Sequence, residues 1–141
     1  MARDPGSLAF AQLADLYRKA GRMREAIALC RTGLVRYPSY TTARLILAKA
    51  LAAEGELEPA LEETRAILAL SPKDIQGHRL AAELHRRLGH IDQAVTHLEI
   101  AVRLDPGDRE SRSLLGLLRA ATPPGGEASG LGRVLGDDTF A

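Results

Sequence analysis

The sequence predicts an all-α protein, a solenoid of three stacked helix pairs followed by one terminal helix. Three observations predict it. The segments GRMREAI (21–27), GELEPAL (55–61) and GHIDQAV (89–95) repeat a glycine and an alanine at a 34-residue step. Pro38, Pro72 and Pro106 keep the same step. Apolar residues recur every three or four positions, as in Leu13, Leu16 and Tyr17 and again in Ile27, Cys30 and Leu34, and strand-like alternation is absent. A fixed period of this size marks a repeat architecture. The units are 7–40, 41–74 and 75–108, after a lead-in at 1–6, with a terminal helix at 109–121 and a linker and tail at 122–141.

In each unit a first helix ends at Gly21, Gly55 or Gly89, because glycine takes the left-handed conformation of a helix C-terminus without a Cβ clash. Pro59 falls at the start of the second helix of unit two, where its missing N–H costs nothing. Pro38, Pro72 and Pro106 stop the second helices, having no N–H to continue the ladder. Ala26, Ala60 and Ala94 lie one turn into the second helices and face back toward Ala14, Ala48 and Ala82. Small residues in register let paired backbones approach closely. One pair cannot bury its apolar stripe alone, and stacking buries it.

The stretch RESRSLLGLLR (109–119) has Arg109, Arg112 and Arg119 for a polar face, yet Leu114, Leu115, Leu117 and Leu118 are apolar on two sides and call for cover. TPPGGEASG (122–130) reads as a linker. Beyond it, Leu131, Val134 and Leu135 share one face of a helical turn that flanking glycines make too weak to stand free. The tail has three readings: it replaces a missing helix, docks in a groove, or links to a longer parent in which DDTFA opens another repeat. The last is the favoured one.

Composition excludes several classes. The 141 residues are 45% hydrophobic and 26% charged, the balance of a folded domain. A formal net charge of +1 gives no field for nucleic acid or an anionic membrane. No apolar run is long enough to insert in a membrane. The opening MARDPGSLAF lacks a signal-peptide core, and the single Cys30 forms no disulfide within the chain, so a cytoplasmic location is expected. Cys30 takes a core slot, where burial makes it inert. His78, His85, His90 and His97 show no metal-ligand spacing, and packing is the expected role of His78 and His85. No phosphate loop, serine elbow or other catalytic constellation occurs, so neither an enzyme nor a cofactor is expected.

These residues resemble the tetratricopeptide repeat, with its aromatic-x2-Leu-Gly-x2-Tyr, Ala-x3-Phe and Pro over 34 residues. Unit one matches with Phe10, Leu13, Ala14, Tyr17, Ala26, Cys30 and Pro38. Unit two keeps Leu47, Ala48, Leu51, Ala60 and Pro72, with Arg44 and Thr64 in aromatic slots. Unit three keeps Ala82, Ala94, Leu98 and Pro106, with His78 and His85 in such slots. The resemblance implies a right-handed superhelix whose first helices line a concave groove for peptides or helices of other proteins. It places Leu8, Ala11, Asp15, Leu45, Ile46, Lys49, Leu80, Glu83, Leu114 and Leu117 in that groove, and Arg18, Lys19, Arg86 and Arg87 on a basic rim. An apolar strip rimmed by charge calls for an amphipathic partner with some acidic residues. Chaperone-binding members hold a terminal carboxylate with lysine, asparagine and arginine. The matching places here are Ala11, Asp15, Ile46, Gln76 and Leu80, so that ligand is not expected. The expected function is a protein-binding scaffold without catalysis, and the alternative is a module that self-associates through helix 109–121 or the tail.

Overall fold

The computed structural model describes residues 5–121, with side chains from Leu8 onward. Seven helices follow in order: α1 (Pro5–Lys19), α2 (Met23–Arg36), α3 (Thr41–Ala53), α4 (Leu57–Leu70), α5 (Ile75–Arg87), α6 (Ile91–Leu104) and α7 (Arg109–Ala121). The tail expectations for 122–141 lie outside the described residues.

The glycine expectation holds at each turn. Gly21, Gly55 and Gly89 have φ of 82°, 81° and 85°. Around Gly21, the Arg22 N–H donates to the Tyr17 carbonyl at 2.8 Å, and the Gly21 N–H to Arg18 at 3.0 Å. The pair recurs as Glu56 to Leu51 with Gly55 to Ala52, and as His90 to His85 with Gly89 to Arg86. This is the two-bond closure that satisfies the last carbonyls of a helix. Asp74 caps α5 by accepting from the Gly77 N–H at 3.1 Å. Asp108, one repeat later, caps α7 through the Ser111 N–H at 3.3 Å.

Consecutive helices pack as antiparallel neighbours throughout, and α1 also touches α3, as α3 touches α5. No comparable contact joins α2, α4 and α6 among the described residues. The first helices of the repeats therefore converge and form the inner wall of the stack. The paired alanines Ala14, Ala26, Ala48, Ala60, Ala82 and Ala94 are all fully buried. The main core joins Cys30 and Leu34 of α2 with Leu47 and Leu51 of α3, Leu61 of α4 and Leu84 of α5. A second, smaller cluster of Ala82, Leu98 and Leu115 holds α7.

Two sequence expectations change. Leu13 and Leu16 are 43% and 65% exposed rather than packed, because α1 has no described helix on that side. The aromatic slot is filled by donors to a carbonyl. Arg44 Nε donates to the Pro38 oxygen at 2.9 Å, and its Nη1 meets Glu63 at 2.8 Å. His78 Nε2 meets the Pro72 oxygen at 2.7 Å, and Arg112 Nη1 the Pro106 oxygen at 3.3 Å. A polar side chain thus ties each repeat to the proline turn that precedes it, where Phe10 instead stacks on Tyr37 with centroids 6.0 Å apart.

Replacing Ala48 by Leu should force α3 and α4 apart and cost about 1–3 kcal/mol. Urea unfolding should show a lowered midpoint; an unchanged midpoint would mean that the alanines do not set the helix spacing.

Candidate functional site

The inner wall presents residues of α1, α3, α5 and α7 that recur at the repeat interval. Its charged row runs Asp15, Lys49 and Glu83, and Leu117 continues it on α7. Asp15 holds Arg18 at 2.8 Å and Lys19 at 3.1 Å. Burial works against its charge, but the hydrogen bonds from Lys19 and Arg18 outweigh burial and hold its carboxyl below the usual value. Glu83 holds Arg86 at 2.7 Å, which raises the Arg86 guanidinium above its ordinary value.

The basic rim is therefore not a row of free cations. Arg18 and Lys19 share Asp15, and Arg86 pairs with Glu83, each acid lying one turn away on the same helix. Arg87 has a different task, donating to the Ala52 carbonyl across the α3–α5 contact at 3.2 Å. Arg79 spans the wall in the other direction, reaching Glu110 at 2.7 Å and Asp108 at 3.6 Å. It ties α5 to the start of α7.

Lys49 differs from all of these. It is half-buried at the centre of the wall, and among the described residues its ammonium has no ion pair or hydrogen bond. Burial lowers its pKa, and the nearby Arg18 adds to the effect, while Asp15 partly opposes it. A desolvated cation beside other cations attracts an added carboxylate more strongly than an exposed lysine does.

The apolar stripe is narrower than the sequence implies. Leu8 stays 47% exposed and Leu117 67% exposed. Ala11 and Ile46, at 2% and 7%, belong to the core and present almost no surface. Leu80 is half-buried against the same core, Leu114 against the α7 cluster, and Leu45 is half-buried. The physical reason is the close approach of α1, α3 and α5, which turns the flanks of each first helix into helix–helix contact. The resemblance counted those flanks as wall.

Outside the wall, a shallow cleft lined by Asp92, Val95, Thr96 and Arg119 opens beside α6 and α7. Cys30 is fully buried. Burial, reinforced by Glu63 and Asp15, pushes its thiol up to about 12, far from a reactive thiolate. Among the described residues no group of three or more His, Cys, Asp or Glu is placed to hold a metal ion, and no helix is long and apolar enough to cross a membrane.

Comparison with known proteins agrees with this architecture. Two family models, each described as Tetratricopeptide repeat, match residues 17–84 and 75–118. The TPR repeat-containing thioredoxin TTL4 of Arabidopsis thaliana is 36% identical over 83 residues, 59% of this chain and 12% of that protein. The human Protein O-mannosyl-transferase TMTC1 is 28% identical over 96 residues, 68% of this chain and 11% of that protein. The chain thus spans about a ninth of the length of these curated relatives. Among solved structures, the first TPR of Spaghetti (RPAP3), bound to the HSP90 peptide SRMEEVD, has a TM-score of 0.78 at 19% identity. That likeness, one of fold, covers 82% of this chain and 91% of the other. With the repeat period, the glycine turns and the two family matches in agreement, the chain belongs to the tetratricopeptide repeat family.

Proposed function

We propose that this chain is a non-enzymatic scaffold that holds an amphipathic segment of another protein against the inner wall, as one part of a larger protein or assembly. Lys49 carries the reading. Among the described residues this half-buried ammonium has neither an ion pair nor a hydrogen bond, while Asp15 and Glu83 are already paired with arginine or lysine on their own helices. An acidic side chain on the ligand would complete the charge pattern. Leu8, the half-buried Leu45 and Leu117 give apolar contacts along the same wall. An extended or helical segment with apolar anchors and an acid between them fits these positions. The HSP90 peptide bound by the structural neighbour supports a peptide as the class of ligand. The residues at the carboxylate-holding places argue for a different peptide, since Ala11 and Ile46 are buried and Asp15 is acidic.

A second reading is self-association. Leu13 and Leu16 of α1 and Leu117 of α7 are exposed, so a second copy can cover them.

Three measurements test these readings. Peptides selected on the intact chain from a displayed library should carry an acid between apolar positions, and Lys49→Glu should weaken them on the order of tenfold. Equal binding to both proteins would remove the wall as the site. Fluorescence polarisation with the peptide SRMEEVD should show no saturable binding; tight binding would overturn the difference in ligand. Sedimentation at tens of micromolar should give a monomer, and a stable dimer would favour self-association.

A further inference from the structure

All four histidines of the chain lie in the third repeat, and the fold gathers them where α5 meets α6. His78 and His97 face each other Nδ1 to Nδ1 at 3.0 Å. His85 and His90 do the same at 3.2 Å. The rings of His85 and His97 stack with centroids 5.6 Å apart and an angle of 11°, which joins the two pairs into one chain of rings. His78 Nε2 lies 2.7 Å from the Pro72 carbonyl oxygen. A carbonyl only accepts, so this nitrogen carries its hydrogen.

Geometry then limits how many protons the cluster holds. A bond between two Nδ1 atoms needs one hydrogen between them. In the neutral His78–His97 pair the His78 Nδ1 is bare, so His97 donates. One added proton is accommodated, because the bare His97 Nε2 takes it and the single hydrogen between the rings stays in place. A second sets N–H against N–H and two positive rings in contact. The same limit applies to His85 and His90. Four separate imidazoles in an unfolded chain have no such limit.

The surroundings do not offset it. From α4, Arg65 and Glu58 act on His85 with opposite sign. His90 is the N-cap of α6, at the positive end of that helix, with Asp92 exposed in the first turn. The α7 side meets α6 through Val95, Leu98 and Val102, and its Arg119 is paired with Glu99 at 2.5 Å. From α3, the contact with α5 is the Ala52 carbonyl held by Arg87.

The geometry points to a proton-sensitive joint in the third repeat: acidification loosens the seam between α5 and α6. Burial, then His78 and His85, pushes His97 down from 6.5 to about 4. Burial, then His90, also lowers His85. Both shifts are downward, so the unfolded chain binds more protons between pH 6.5 and about 4, and stability falls as pH falls through that window. The seam matters for the wall, because α5 carries Leu80, Glu83 and Arg86.

Urea unfolding of the full chain at pH 7.5, 6.5 and 5.5 tests this above the range where carboxylates take up protons. The unfolding equilibrium constant should rise about tenfold from pH 7.5 to 5.5 in the wild type and much less in His97→Leu. A flat wild-type profile, or a full response in His97→Leu, overturns the proposal. If that variant fails to fold, ring NMR of the wild type decides. At least two of the four rings should remain neutral at pH 5.5; four rings titrating as free imidazoles near pH 6.5 would overturn the inference.

Discussion

The close approach of two helices through alanine is the constraint on which this molecule depends. Ala14, Ala48 and Ala82 on the first helices, and Ala26, Ala60 and Ala94 on the second, are buried without remainder. That spacing lets each pair act as one slab, and slabs of equal thickness stack with a constant offset. The offset brings α1, α3 and α5 into contact along one side and leaves α2, α4 and α6 apart on the other among the described residues. The contact of the first helices thus rests on six small side chains buried between the paired helices.

Polar contacts add to the packing of alanine and leucine in fixing how one repeat sits on the next. The donors at positions 44, 78 and 112 do this, each reaching the carbonyl of the proline before its own helix. Arg44 closes its contact with Glu63 on α4, and His78 closes its contact with His97 on α6. The two solutions occupy the same place but differ chemically. An arginine–carboxylate pair keeps its charge at every ordinary pH. A histidine pair does not, which makes the third repeat the one that responds to acid.

The helical class and the turn glycines were legible because they are local: a period and a positive φ act on the chain wherever it goes, although α1 starts at Pro5, within the expected lead-in 1–6. The wall was legible only in part. The resemblance named Asp15, Lys49 and Glu83, which recur at the 34-residue step on α1, α3 and α5. It could not tell that Ala11 and Ile46 sink into the core, because that depends on how closely neighbouring first helices pack. The rim arginines read as free charges for a similar reason. The pairs Asp15 to Arg18 and Glu83 to Arg86, three residues apart, were visible as a spacing that favours an ion pair, a signal that could have found them. The histidine cluster was hidden by separations of 19 and 5 residues, which only the pairing of α5 with α6 brings into contact.

The most direct test of the wall as a ligand surface is a backbone and side-chain NMR titration of the chain with an acidic amphipathic peptide. The shifts should concentrate on Asp15, Lys49 and Glu83 and on the helices that carry them. Shifts confined to the outward faces of α2, α4 and α6 would contradict it.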